Sequence, residues 1–142
     1  MTVFERLKDA LRGRGKTPKH LKAGKKGERY AERYLRRHGY RIECRNFTSG
    51  KNEIDLIAKT KTHYVFCEVK TRVQSYGEQT PFGRPAIAVN ADKKRHLIAA
   101  ATTFYHRHKK ENMQFRFDVI EVYLTEKHRL THIHHIKSAF TR

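Results

Sequence analysis

Three side chains in the middle of the chain have the types and spacing needed for metal-dependent hydrolysis. Asp55 interrupts the apolar run at residues 54–58, and Glu68 follows the apolar run at residues 64–67. Lys70 stands two residues after Glu68 and therefore points to the same face of an extended strand. Carboxylates are rarely buried in such runs without a partner, because desolvating a charge is costly.

A hairpin between the two apolar runs would bring both acids together. A short polar connection joins the runs, which is typical of a β-hairpin. If Thr60 lies opposite His63, Asp55 lies directly across from Glu68, with Cβ atoms about 5 Å apart. Two carboxylates at that separation repel by about 3 kcal/mol at an effective dielectric of ~20. The repulsion predicts a divalent cation between them.

These groups suit the hydrolysis of a phosphodiester bond. Asp55 and Glu68 offer the hard oxygen ligands that Mg²⁺ prefers, Mn²⁺ accepts the same donors, and positions remain open for water and a phosphate oxygen. Lys70 can position or deprotonate the attacking water and stabilise the developing negative charge. A structural ion pair between Lys70 and one of the acids is the simpler alternative.

The charge of the whole chain points to a polyanionic partner. In 142 residues, 32 Lys and Arg outweigh 14 Asp and Glu and give a formal net charge of +18. A field of that sign favours nucleic acid over an anionic membrane surface, and a basic surface without a dedicated partner is the plain alternative. No apolar segment has the length of a signal peptide or a membrane span, and Cys44 and Cys67 fit reduced core residues. We therefore expect a cytoplasmic protein with no membrane partner.

The remaining pattern predicts the elements that position these groups. A flexible basic N-terminal arm over residues 1–20 precedes one domain over residues 21–138. Periodicity predicts helices at 21–38 and 91–108, strands at 40–45, 54–58, 64–69, 115–124 and 130–136, a turn at 47–51 and a long loop at 73–90. This order predicts an α/β fold, with a mixed central sheet flanked by helices.

Further candidates lie on the first helix and beside the acids. Glu28 shares an apolar stripe with Ala31 and Leu35, so it is either a surface acid at the edge of the stripe or an inward acid that completes the metal shell. The glycines at 24 and 27 would let this helix approach the sheet closely. Glu53 faces the same way as Asp55 and fits either a hydrogen bond at the strand end or metal binding.

The second helix carries the cations predicted to contact nucleic acid. Lys93, Lys94 and Arg95 load its first turn with positive charge, which opposes the helix dipole, and a nearby phosphate would relieve the conflict. Arg72, at the end of the third strand, joins this set.

Two features of the last strands complete the candidates. Asp118, inside an apolar run, is predicted to bind an Arg side chain or backbone amides. His132 and His134 share one face of the last strand and could form a transition-metal pair, although no third ligand is evident.

An ordered set of motifs resembles the YraN-like family of small bacterial proteins. The set consists of GxxGE at residues 24–28, Asn46, EIDLI at 53–57, VFCEVKTR at 65–72, Ala88-Val89 with Lys93, and RFDV at 116–119. That family belongs to the restriction-endonuclease-like (PD-(D/E)XK) superfamily and is similar to archaeal Holliday-junction resolvases. The chain departs from the pattern at Asn52, where the motif has Gly, and in lacking the superfamily's proline before Asp55. We expect Asn52 to tolerate the positive φ of that Gly.

The resemblance implies a fold and a site. It implies an αβββαβ core, a metal site at Asp55, Glu68 and Lys70, Glu28 as an acid carried by the helix, and Lys93 as a cation near the site. Together with the charge, it predicts a Mg²⁺-dependent endonuclease that acts on DNA, including branched or structured DNA, and a homodimer if junctions are cut twice. The competing hypothesis is a catalytically silent nucleic-acid-binding protein on a nuclease scaffold.

Overall fold

Two helices flank a five-stranded sheet in the computed structural model, which describes residues 18–75, 91–108 and 112–140. The elements are α1 (Pro18–Arg37), β1 (Arg41–Ser49), β2 (Asn52–Lys59), β3 (His63–Val73), α2 (Ala91–Arg107), β4 (Gln114–Leu124) and β5 (Leu130–Phe140). The predicted α/β class is confirmed, and the element order is consistent with a restriction-endonuclease-like αβββαβ core. The predicted N-terminal arm lies outside the described residues up to residue 17, and the predicted long loop lies outside them from residue 76 to 90.

The sheet mixes antiparallel and parallel pairing, as predicted. Its strand order is β1-β2-β3-β4-β5, with β1, β2 and β3 antiparallel, β3 and β4 parallel, and β4 and β5 antiparallel. Parallel neighbours need a crossover connection, and the segment between β3 and β4 contains α2. The meander and the crossover leave β3, which carries Glu68 and Lys70, in the centre of the sheet.

Several element boundaries differ from the sequence-based prediction. β1 continues to Ser49, because Gly50 takes a φ of 55° and lets the hairpin close in two residues, so the predicted turn at 47–51 was too long. Asn52 does not have the expected positive φ and instead begins β2, paired with Ser49. α1 begins at Pro18, a residue that suits the first position of a helix, so residues 18–20 of the predicted arm are helical.

Each face of the sheet is covered by one helix and its own apolar cluster. On one face, Ala31 and Leu35 of α1 pack with Cys67 and Ile120, and Cys67 is buried on the face opposite to Glu68, as predicted. On the other face, the residues from α2 that pack on the sheet are aromatic and aliphatic and include Phe104. Because a helix covers each face of the sheet, a substrate could reach the acidic pair only at the edge of these layers.

Gly27 is the point of closest approach between α1 and β3. A Cβ atom built on Gly27 would overlap the hydroxyl of Thr71 and lie 2.9 Å from its Cβ and Cγ2 atoms. Gly24, which was expected to serve the same purpose, meets nothing within 4 Å of such a Cβ. Only Gly27 therefore sets the distance between the helix that carries Glu28 and the strand that carries Lys70.

A buried polar network fixes α1 against the last two strands. Asp118 accepts hydrogen bonds from Arg116 Nε at 2.9 Å, from Arg116 Nη2 at 2.8 Å and from the amide of Ser138 at 3.1 Å, so its predicted role is confirmed. His135 Nε2 lies 2.6 Å from Asp118 Oδ2, and its Nδ1 lies 3.1 Å from the hydroxyl of Tyr34 on α1. Burial acts to raise the pKa of Asp118, but the hydrogen bonds from His135 and Arg116 outweigh it and leave that pKa lowered.

Replacing Gly27 by Ala should destabilise the protein, while the same change at Gly24 should not. Gly27→Ala forces a methyl group into Thr71, and overpacking of this kind lowers the free energy of unfolding by about 1–3 kcal/mol. Gly24→Ala adds a methyl group in open space and gains about 0.5–1 kcal/mol of helix propensity. Urea unfolding of both variants measures the contrast, and equal changes would contradict the close approach at Gly27.

The contribution of Asp118 should depend on pH in one direction. Its folded pKa is lowered, so its stabilisation is present above about pH 4 and is lost as the pH falls through the folded value. At pH 7, Asp118→Asn should lower the free energy of unfolding by about 3 kcal/mol, and the deficit should shrink as the pH falls below about 4. Urea unfolding at each pH tests this, with Asp92→Asn on the exposed start of α2 as control; a deficit that does not change with pH would refute it.

Candidate active site

The hairpin of β2 and β3 has the register that brings the two acids together. The amide of Thr60 donates to the carbonyl of His63 at 2.9 Å, and the ladder continues to the Leu56–Cys67 pair. This is the predicted register. Its next step along the strands is the position of the acidic pair.

Asp55 and Glu68 are both buried at that position. Their residues are 7% and 4% exposed. Asp55 Oδ2 accepts a hydrogen bond from the amide of Val69 at 2.8 Å. This amide therefore bonds to a side chain and not to the backbone of β2. At the acidic pair, a hydrogen bond between backbone and side chain thus replaces the backbone pairing of the two strands.

Two lysines converge on one oxygen of Glu68. Lys93 Nζ forms an ion pair with Glu68 Oε1, and Lys70 Nζ lies 3.7 Å from the same oxygen. The other oxygen, Glu68 Oε2, is buried and accepts no hydrogen bond from the residues that the structure describes. Glu68 therefore has one oxygen neutralised by ammonium groups and one oxygen left as a donor atom.

The environment of Asp55 disfavours a second negative charge. Burial raises the pKa of the Asp55 carboxyl well above its ordinary value, and the charge of Glu68 raises it further. The hydrogen bond from Val69 acts in the opposite direction without offsetting the increase. A cation placed between the two carboxylates would remove this conflict.

The two lysines are not equivalent. Burial lowers the pKa of Lys70 more than the charge of Glu68 raises it, and the positive charges of Lys93 and Arg72 lower it further. Burial also acts to lower the pKa of Lys93, but the charge and the hydrogen bond of Glu68 leave it raised. The pKa values of these two neighbouring lysines are therefore shifted in opposite directions. Such a difference is typical of sites in which each group has a separate role.

Glu28 lies beside Asp55, which favours the inward of its two predicted positions. Glu28 is half-buried, and its negative charge contributes to the raised pKa of Asp55. Both residues line one cavity of about 390 Å³ between α1 and the strands β1 and β2. Lys25, Arg29, Arg45 and Glu32 also line it, and Glu32 pairs with Arg45 at 2.6 Å, so cations and acids alternate around this cavity.

The predicted nucleic-acid contacts occupy different environments. Of the three cations at the start of α2, only Lys93 reaches the acids. Lys94 Nζ lies 5.6 Å from the centre of the Phe140 ring, and exposed Arg95 pairs with Asp92 on its own helix. Arg72 is half-buried and close enough to lower the pKa of Lys70. The four cations therefore do not form one patch.

The residues present fit a hard divalent cation held by few protein ligands. Asp55 and Glu68 would be the donors, and Glu68 Oε2 has no hydrogen bond from the described residues to lose. Within the described ranges, no three His, Cys, Asp or Glu side chains are grouped as a metal-ligand set, and this includes His132 and His134. Mg²⁺ usually keeps several waters and needs only one or two carboxylates, so two acids are sufficient.

Sequence reasoning missed one acidic residue near this site. Glu121 is 0% exposed and stands next to Lys70 across the parallel β3–β4 pair. Its oxygens contact His134 Nδ1 at 2.8 Å and the hydroxyl of Tyr123 at 3.1 Å. The signal was present in the sequence, since an acid inside an apolar strand had singled out Asp55.

Comparison with known sequences places the chain in a family. A sequence profile described as "Uncharacterised protein family UPF0102" matches residues 27–122, which include the site residues from Glu28 to Lys93. The chain belongs to the UPF0102 family. A UPF0102 protein of Caldicellulosiruptor saccharolyticus is 42% identical over 117 residues, which cover 82% of this chain and 95% of the relative. One of Chloroherpeton thalassium is 42% identical over 106 residues, or 75% of this chain and 78% of the relative.

Membership in UPF0102 confirms the YraN-like resemblance drawn from the motifs. A third relative, a UPF0102 protein of Porphyromonas gingivalis, is 37% identical over 121 residues, or 85% of each chain. UPF0102 is described as uncharacterised, so membership assigns no reaction. Neither described helix is long and apolar enough to cross a membrane.

Asp55→Asn should stabilise the metal-free protein and abolish stabilisation by metal. Removing the buried carboxylate relieves its conflict with Glu68, which should raise the free energy of unfolding in EDTA by about 1–3 kcal/mol. Mn²⁺ should raise the melting temperature of the wild type and leave that of the variant unchanged. Thermal and urea unfolding measure both effects, with Glu126→Gln in the exposed β4–β5 turn as control. A variant that is less stable in EDTA and still responds to Mn²⁺ would refute the metal site.

Proposed function

We propose that this UPF0102 protein is a Mg²⁺-dependent endonuclease that hydrolyses phosphodiester bonds in DNA. The observation that carries the proposal is the pair of buried carboxylates Asp55 and Glu68 in one hairpin. Two lysines contact Glu68 Oε1, and Glu68 Oε2 accepts no hydrogen bond from the described residues. A binding module has no use for acids that repel phosphate. A hydrolase needs them to hold a cation.

Each residue of the site has a distinct role in this proposal. Asp55 and Glu68 hold Mg²⁺, or Mn²⁺ in its place, which when bound polarises the phosphate and activates water. Lys70 orients the water and accepts or shares its proton, and Lys93 balances the charge of Glu68. Glu28 closes the site on the side of α1 and can hold a water molecule near Asp55.

Charge and the cavity beside Asp55 support nucleic acid as the substrate. The net charge of +18 favours a polyanion. Lys25 and Arg29 line the cavity that contains Asp55, and they offer positive charge to a phosphate backbone that approaches the acids. The similarity to resolvase-type nucleases favours DNA, including branched or structured DNA, as the class to be tested first.

A catalytically silent nucleic-acid-binding protein is the second candidate. The ion pair of Lys93 with Glu68 favours it, because an ammonium group already neutralises one of the two acids. In that case, the acids are a structural charge cluster on a nuclease scaffold, and nucleic acid binds through the surrounding cations. Cleavage assays separate the two candidates.

The proposal extends to the setting in which the protein acts. With cellular DNA as its substrate, the protein would act in the cytoplasm. Cutting both strands of a symmetric junction implies a two-fold homodimer, because each site acts on one strand. Sedimentation with and without junction DNA tests the dimer.

Variants of the acids and Lys70 should lose cleavage but keep binding. Asp55→Ala, Glu68→Ala and Lys70→Ala should each lower the cleavage rate in Mg²⁺ or Mn²⁺ by about 10²-fold or more, the range for loss of a group that acts in the transition state. DNA affinity of the two acid variants should persist or increase, because each removes negative charge near the phosphate. The substrates are a duplex, a single strand, a flap and a four-way junction.

Lys61→Ala is the matched control for this panel. Lys61 is an exposed lysine at the tip of the same hairpin, away from the acids, so its loss removes one positive charge and leaves the site intact. Its cleavage rate should stay within about twofold of the wild type. If the wild type cleaves none of the substrates and binds no metal by calorimetry, the enzyme proposal fails and the binding protein is favoured.

A further inference from the structure

The solvent face of α1 is entirely basic. Every exposed residue from Lys22 to Arg37 is a lysine or an arginine, while Ala31 and Leu35 bury the opposite face of the helix against the sheet. Residues three or four apart are neighbours on a helix surface, so these cations form one continuous stripe. The α1 stripe consists of Lys22, Lys25, Lys26, Arg29, Arg33 and Arg37.

Mutual repulsion makes the α1 stripe costly in the free protein. Four pairs of its members are four residues apart, a spacing at which like charges destabilise a helix. In the part of the chain that the structure describes, no salt bridge neutralises a member of the stripe. Glu32, on the same helix, pairs with Arg36 and Arg45 instead. A solvent-exposed face with no other task usually mixes charges of both signs, and a polyanion would relieve the repulsion.

The composition of the exposed face favours a phosphate backbone over a membrane surface. A helix that binds a membrane inserts an exposed apolar face, and the apolar face of α1 is buried on the sheet. Leu21 is the one large apolar residue of α1 that is exposed among those described. The helix contains no Asn or Gln, the side chains that read adenine, so its cations suit phosphates.

We propose that the α1 stripe binds the phosphate backbone of DNA and leads it to the acidic pair. This inference rests on the proposed function, since it assumes DNA as the substrate. Lys25 and Arg29 belong to the stripe and also line the cavity that contains Asp55, so the stripe is continuous with the site. Lys22 and Arg37 are about 22 Å apart along the helix axis, the length of about six base-pair steps.

The proposal assigns the main DNA contact to a different helix from the one that the sequence indicated. The cations at the start of α2 lie in separate environments, with Lys93 on Glu68 and Arg95 on Asp92. The cations of α1 share one exposed face. Because α1 and α2 cover opposite faces of the sheet, charge can be removed from one helix without altering the other.

The test compares two matched arginines, Arg33 on α1 and Arg107 on α2. Both are exposed, and each guanidinium lies near an aromatic ring, at 6.0 Å from the centre of Tyr30 and 5.7 Å from the centre of Phe47. Arg33→Gln and Arg107→Gln therefore remove the same charge from similar surroundings. The affinity of the full chain for a DNA duplex is measured in EDTA, which prevents metal-dependent cleavage.

Loss of a phosphate contact should appear in both affinity and salt dependence. Arg33→Gln should weaken binding about fivefold at low salt and reduce the slope of log K against log salt by about 0.9. Lys26→Gln combined with Arg33→Gln should reduce the slope by about 1.8, on duplexes of unrelated sequence alike. Arg107→Gln should stay within about twofold of the wild type with an unchanged slope.

The stability of the free protein separates binding from folding. Arg33 belongs to two of the like-charge pairs, so Arg33→Gln should not lower the melting temperature at low salt. An RNA duplex and vesicles of phosphatidylcholine and phosphatidylserine complete the panel. An effect of the stripe variants that is confined to RNA or to vesicles would overturn the proposal.

The outcomes separate this inference from the proposed function. If Arg33→Gln and the double variant match Arg107→Gln in affinity and salt slope, the α1 stripe is not the DNA surface, and cleavage by the wild type would still support the nuclease. If binding depends on the stripe but no substrate is cleaved, the DNA surface stands and the nuclease fails. If the wild type binds no DNA, both are overturned.

Discussion

Two buried carboxylates that share one hairpin are the constraint that the rest of the structure must accommodate. The register of β2 and β3 leaves Asp55 and Glu68 side by side, and neither burial nor proximity favours two negative charges there. Lys93 and Lys70 offset part of that cost at one oxygen of Glu68. The rest of the fold holds this arrangement in place: α1 approaches β3 at Gly27, and the start of α2 delivers Lys93. A fold that served stability alone would replace these charges with apolar side chains.

The sequence predicts the centre of the site because the information there is local. A short connection and an alternating strand fix which residues oppose each other, so Thr60 and His63 are enough to place Asp55 near Glu68. Glu28 was left with two positions, because helical spacing alone does not distinguish the edge of a stripe from its centre. The electrostatic effect of Glu28 on Asp55 now favours the inward one.

Long-range contacts account for what the sequence does not predict. Lys93, Lys94 and Arg95 are consecutive, yet the 100° step of a helix sends one to the acids, one to Phe140 and one to solvent. Glu121 was overlooked although an acid between apolar strand residues is the same signal that marks Asp55. Its partner His134 becomes visible only when the β4–β5 register is known. Family membership assigns neither the fold nor the reaction, and the fold is read from the structure itself.

The most direct test of the central claim is anomalous diffraction from crystals grown with Mn²⁺. The account predicts one strong manganese peak between the carboxylates of Asp55 and Glu68, with Glu68 Oε2 among the ligands and Lys93 moved away from a direct contact with the metal. The peak should be absent in crystals of Asp55→Asn. A wild-type crystal with no peak at this position, and with Lys93 still paired to Glu68, would contradict the metal site and leave the acids as a structural charge cluster.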